Sequence, residues 1–162
     1  MSSRLDKQSP DRVNKRSGLH RTDDEKQVRR KTLAVESTVV GQVFVVGSGD
    51  CGQLGLGTDV LERESPALLR FFDQLDIVGV YAGGMHNVAL SLHGSVYSWG
   101  CNDHHALGRA GEETQPLQIV ALKNHVVVRV ACGDSVSCFL TAQGCVYACG
   151  TFRNAAGILG FR

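Results

Sequence analysis

No stretch of this 162-residue chain approaches the ~20 consecutive apolar residues that a membrane-spanning helix requires. The N-terminus also lacks an apolar signal core, its first 30 residues being polar and charged. These two absences predict a soluble, intracellular protein whose six cysteines (Cys51, Cys101, Cys132, Cys138, Cys145 and Cys149) stay reduced. No Cys-x-x-Cys pair occurs, and the closest spacings, Cys145-x3-Cys149 and Cys132-x5-Cys138, argue against a structural zinc site. Excess charge is missing too. With 17 basic and 16 acidic residues the net charge is +1, so no global field dictates a nucleic-acid or membrane partner. Finally, no 3.6-residue apolar period is sustained over three turns.

The near-neutral total hides an asymmetry. Residues 1–40 hold ten Lys/Arg and six Asp/Glu, which puts +4 on this segment and −3 on the remainder. The segment has few aliphatics and no aromatics, a composition that cannot offset its ordering entropy, so we expect a disordered basic arm over 1–40. Lys15-Arg16, followed after twelve residues by Arg29-Arg30-Lys31, has the spacing of a bipartite nuclear-import signal. Flexible Lys/Arg side chains of this kind also suit phosphate backbones, since they displace counterions without fixed geometry. A merely solubilising tail is the plainer alternative.

What is present from Val43 onward is β-sequence: short apolar runs, alternating or continuous, punctuated by Gly, Asn and Asp. The stretch Val43 to Gly57 sets the pattern, with a β-branched run stopped at Gly47 and a glycine-rich turn behind it. The pattern returns at Val96-Tyr97-Ser98-Trp99-Gly100 and at Val146-Tyr147-Ala148-Cys149-Gly150. A shift of 50 superposes 66–100 on 116–150 without a gap, placing Leu90, Gly94, Val96, Tyr97 and Gly100 on Leu140, Gly144, Val146, Tyr147 and Gly150. From Gly47 to Gly100 the step is 53, with the surplus three residues assigned to a loop before Pro66. A unit of about fifty residues with about four short strands reads as one propeller blade. The predicted class is therefore all-β, an incomplete propeller over 42–162 of a little more than two units.

Several motifs invite chemistry and lose to turn geometry. Gly47-Ser48-Gly49-Asp50-Cys51-Gly52 spells the G-x-G-x-x-G dinucleotide fingerprint. That fingerprint needs a helix behind it to receive a pyrophosphate, and Gln53-Leu54-Gly55-Leu56-Gly57 carries two glycines that would each cost a helix ~1 kcal/mol. Cys101-Asn102-Asp103-His104-His105 fills the same repeat slot, where Asn and Asp serve the turn. His86 begins a strand after Gly83-Gly84 and reads as a hydrogen-bonded structural residue. No Ser–His–Asp or Cys–His set is supported, so bond-making catalysis is not expected, nor is a cofactor or a small-molecule substrate. Asp50 and Asp134 sit at strand-to-turn junctions, where a carboxylate either meets a basic partner or caps its own turn. The third glycine turn is two residues longer than the others, which makes Thr151–Ile158, with Phe152 and Arg153, a projecting element suited to partner contact.

Gly49-Asp50-Cys51-Gly52-Gln53-Leu54-Gly55-Leu56-Gly57, Glu62-Arg63, Pro66-Ala67-Leu68, Ala82-Gly83-Gly84-Met85-His86 and Gly100-Cys101-Asn102-Asp103 together resemble the regulator of chromosome condensation family. The resemblance covers about 42–162 and implies a seven-bladed propeller, of which this chain supplies roughly the first third. It implies guanine nucleotide exchange on the small GTPase Ran, a nuclear, chromatin-associated location, and an N-terminal arm serving import and DNA or histone contact. By the same resemblance Asp50 and Asp134 face Ran, and Phe152, Arg153 and Asn154 belong to a wedge pushed near its phosphate-binding region. Val136 stands where such repeats usually have His, and Asn154-Ala155-Ala156 is less polar than the usual wedge tip. The competing expectation is a generic propeller-repeat interaction module, as in the family's ubiquitin-ligase and trafficking relatives, or an inactive fragment.

Two open blades expose unpaired strand edges and apolar faces. Residues 1–162 alone are therefore expected to self-associate or to melt without cooperativity. Sedimentation combined with a thermal melt checks this, and a monodisperse monomer with one sharp transition would contradict it.

Overall fold

The computed structural model describes residues 35, 37–153 and 159–160; the basic cluster residues Lys15, Arg16, Arg29, Arg30 and Lys31, and Asn154 of the long turn, lie outside them. Strands β1 (Phe44–Ser48) and β2 (Glu62–Leu68) pair antiparallel. Strands β3 (Ile77–Ala82), β4 (His86–Ser91), β5 (Val96–Gly100) and β6 (Leu117–Gln118) form one antiparallel sheet in that order. A third sheet holds β7 (Val127–Cys132), β8 (Val136–Thr141) and β9 (Val146–Gly150). The short ribbon β10 (Phe152–Arg153) and β11 (Leu159–Gly160) follows β9. All-β propeller-repeat architecture is what the sequence predicts, and β3, β4 and β5 each begin 50 residues before β7, β8 and β9.

The sheets are held by what lies between them. One buried cluster joins Val43, Leu69, Phe72, Ile77, Ala89, Tyr97 and Trp99, so it spans the first and second sheets. Another joins Val88, Leu90, Val96, Ile119, Leu122, Val127, Val130 and Phe139, spanning the second and third, with Val35 packed against its margin. Apolar burial in this chain therefore glues blade to blade, the arrangement of a repeat array. Two 3-10 turns, Arg70–Phe72 and Val120–Leu122, sit at equivalent places and drop Phe72 and Leu122 into these seams. The sequence reading missed them, because a three-residue turn has no periodicity to detect.

The three surplus residues of the first unit fall in the loop before β2, ahead of Pro66, as expected: Gly47 stands opposite Arg63, sixteen residues on, whereas the Gly100 N–H donates at 2.8 Å to the Glu113 carbonyl, thirteen residues on. β2 is already extended at Glu62, with Ser48 opposite Glu62. The register also shifts between Val45 and Gly47, an irregularity around Pro66, which has no N–H to give the ladder.

Trp99 is the main anchor of the first seam. It is 1% exposed, its ring centroid lies 5.6 Å from that of Phe72, and its indole N–H donates to the Gln53 carbonyl at 3.0 Å. Trp99→Ala removes this packing and one of the two side-chain donors to that carbonyl. We expect a loss of about 3–5 kcal/mol, read as a lower urea midpoint by far-UV circular dichroism.

Candidate partner-binding face

The sheet register fixes where each turn emerges. Ala82 at the end of β3 lies opposite Asn87 at the start of β4, which lies opposite Trp99 at the end of β5. Cys132, Ser137 and Cys149 repeat this row in the third sheet. The turns β3–β4 and β7–β8 and the segments leaving β5 and β9 therefore share one end of the strands. The segment leaving β1 joins them, because the Gln53 carbonyl accepts from both the Asn87 side-chain amide (2.9 Å) and the Trp99 indole (3.0 Å).

Asp50 and Asp134 both stand on this end. Asp50 is exposed in the turn that Gly52 closes by donating to the Gly49 carbonyl at 2.8 Å. Among the described residues its carboxylate has no hydrogen-bond partner, so it does not cap that turn. Asp134 is also exposed, and among the described residues its carboxylate accepts only from the Ser135 hydroxyl at 3.0 Å, while its backbone carbonyl accepts from the Gly84 N–H at 3.1 Å. A Cβ at Gly84 would collide with the Asp134 carboxylate, so glycine there is required by the close approach of the two turns.

The long third turn forms a hairpin base. Phe152 pairs with Gly160 and Arg153 with Leu159, and the Phe152 ring lies over Gly160, with 48% of the residue exposed. Asp134, Ser135, Val136, Thr151, Phe152 and His104 line one cleft of about 350 Å³. A smaller cleft beside it, about 170 Å³, is walled by Met85, His86, Cys101, Asp103, His104 and Asp134 among others. The structure thus brings Asp134 and Phe152 together and leaves Asp50 one turn away on the same end.

Met85 and His104 were not foreseen as part of this face. Met85 is 47% exposed at the tip of the β3–β4 turn, and His104 borders both clefts. The available signal was repeat position: Gly84-Met85 occupies the slot of Asp134-Ser135, and His104 that of Cys51. The turn reading of Asn102 stands, since its amide accepts from the Leu107 N–H at 3.1 Å and donates to the Arg109 carbonyl at 3.0 Å.

His86 lies beneath the face, 2% exposed, its Nε2 2.8 Å from the Ser137 hydroxyl across the seam. Burial lowers its pKa below the ordinary 6.5, and the Asp134 carboxylate only partly opposes this. Cys132, beside Ser137, is pushed upward by burial, and Cys149 to about 11 for the same first reason.

Models of the regulator of chromosome condensation repeat match residues 40–90 and 93–140, and a second model of that repeat matches 77–106 and 127–157. The Xenopus laevis regulator of chromosome condensation is 47% identical over 127 residues, covering 76% of this chain and 29% of the relative. The Saccharomyces cerevisiae guanine nucleotide exchange factor SRM1 is 36% identical over 154 residues, covering 74% and 32%. The crystal structure of Prp20p from the same yeast, described with its binding to Gsp1p and histones, superposes with a TM-score of 0.70 at 37% identity, covering 85% of this chain and 34% of that one. The chain thus spans about a third, or less, of the relatives it matches.

The depressed pKa of His86 has a defined consequence. Below pH 6.5 the unfolded chain takes up a proton that the folded chain refuses, so stability present above 6.5 is lost as pH falls toward the folded value. His86→Gln keeps a hydrogen-bonding group and cannot titrate. Urea midpoints measured between pH 7 and pH 5 should fall less in His86→Gln than in the parent chain.

Proposed function

This chain belongs to the regulator of chromosome condensation repeat family, and from that membership we propose that it takes part in guanine nucleotide exchange on the small GTPase Ran. The observation that carries the reading is the common strand end on which Asp50, Asp134 and the β10–β11 hairpin emerge. The exchange-factor relative, and the Prp20p structure described with Gsp1p and histone binding, support it.

Exchange requires no bond-making in the protein. A factor that binds nucleotide-free GTPase better than the loaded form sets its own binding energy against that of nucleotide and Mg²⁺, and release accelerates. The abundant nucleotide then refills the site. In this scheme Asp50 and Asp134 meet cationic groups of Ran, and Phe152, Arg153 and Asn154 form the projection that disturbs the phosphate region. Lys15, Arg16, Arg29, Arg30 and Lys31 serve nuclear import and contact with chromatin phosphates, which puts the protein in the nucleus.

Removing one member of a close interfacial charge pair costs about 1.5 kcal/mol or more, roughly tenfold. Asp134→Ala is therefore expected to weaken capture of Ran in EDTA, where nucleotide and Mg²⁺ are stripped, at least tenfold. In the longer propeller that includes these repeats it should slow release of a fluorescent nucleotide by a similar factor. Equal capture of Ran with and without Mg²⁺-nucleotide would refute exchange and favour an ordinary interaction module.

A further inference from the structure

The six thiols are not equivalent in their freedom to pair. In the third sheet Cys132 and Cys149 flank Ser137 from opposite sides, two strands apart. At ~4.8 Å per strand spacing their Cα atoms are ~10 Å apart, beyond the ~7 Å that a disulfide tolerates. Cys138 lies opposite Ala131 and Ala148, on the other face of the pleat from that row. The sheet therefore holds these three apart.

Cys51 and Cys101 are different. They sit in the glycine turns of successive repeats, and neither turn is a strand. The Gln53 Cα lies 3.4 Å from where a Cβ on Gly100 would stand, so the chain just after Cys51 touches the residue just before Cys101. Gly52 meets Thr114 and the Gly57 N–H donates to the Thr114 carbonyl at 3.1 Å, which seats the whole first turn on the second. Both cysteines are half-buried.

We propose that Cys51 and Cys101 are a redox-modification site, closed to a disulfide by a low-molecular-weight disulfide of the glutathione class. The Cys51 thiolate attacks one sulfur of the oxidant, forming a mixed disulfide and expelling one thiolate, which takes up the proton Cys51 gave up. The Cys101 sulfur then attacks the Cys51 sulfur, expelling the second thiolate, which takes up the Cys101 proton. The protein loses two electrons and two protons, and one oxidised disulfide becomes two thiols. The bond would lock the turn that carries Asp50 to the turn that carries Asp103. This inference concerns the thiols alone and stands whether or not the face binds Ran.

The test is oxidation of the 162-residue chain with oxidised glutathione, native and in urea, followed by non-reducing peptide mapping by mass spectrometry. In urea, pairing follows loop length, and closing Cys145 to Cys149 is favoured over Cys51 to Cys101 by roughly thirtyfold. In the native chain the Cys51–Cys101 peptide should exceed every other cross-link at least fivefold, and that preference should vanish in urea. Cys51→Ser should leave Cys101 as a stable glutathione adduct, with its circular dichroism unchanged. Two persistent glutathione adducts without a cross-link in the native chain, or a dominant pair among Cys132, Cys138, Cys145 and Cys149, would overturn the proposal.

Discussion

One contact, made twice, holds these repeats in sequence. Six residues after the glycine that ends the third strand of a unit, a backbone carbonyl turns toward the next sheet. The Gln53 carbonyl accepts from the Trp99 indole at 3.0 Å, and the Ala106 carbonyl accepts from the Cys149 thiol at 3.3 Å. Two residues further on, Gly55 and Gly108 press against the same partners, with a Cβ at either position meeting Trp99 or Cys149 at 2.9 Å. The intervening Leu54 and Leu107 are buried at 3% and 0% exposure. Each glycine turn is thus a plug seated on the strand of the following unit, and the turn glycines are required by that close approach and by their positive φ. The second seam uses a thiol where the first uses an indole, so it buries far less aromatic area. It compensates with an aliphatic cluster and with the His86–Ser137 hydrogen bond.

A chain built this way exposes apolar residues on its first and last strands. Phe44 and Val46 on β1 are each 56% exposed, and Val146 on β9 is 67% exposed. Among the described residues β1 pairs only with β2, and β9 only with β8. The interior blade contrasts sharply: all five residues of β5, the counterpart of β9, are buried. The same Val-Tyr sequence is thus core in one unit and surface in the next. Burial here belongs to position in the array rather than to the local residues.

That distinction explains what was legible beforehand. The 50-residue step and the lengthened third turn could both be read from spacing, because each is a property of one repeat compared with another. The 3-10 turns and the register shift around Pro66 could not. They depend on how a segment meets a neighbour, and a single unit does not encode its neighbour. The face was half legible. Its carboxylates stand out as acids at turn positions, whereas Met85 and His104 look like ordinary turn residues until adjacent blades bring them beside Asp134.

The placement of Asp134 follows from the same logic. Its own turn does little to hold it, since Ser135 is the one side chain among the described residues that donates to its carboxylate. The turn is fixed both within its unit, where the Gly133 N–H donates to the Val136 carbonyl at 2.8 Å, and by the preceding blade: the Gly84 N–H grips the Asp134 carbonyl, and the missing Cβ at Gly84 leaves room for the carboxylate. Beneath them the neutral imidazole of His86 reaches across to Ser137, so the floor of the cleft is also shared between two units. A carboxylate attached to one repeat and positioned by another can be displaced by a change in either. The face is therefore a property of the seam, and any substitution that loosens the seam will shift the face without touching an exposed residue.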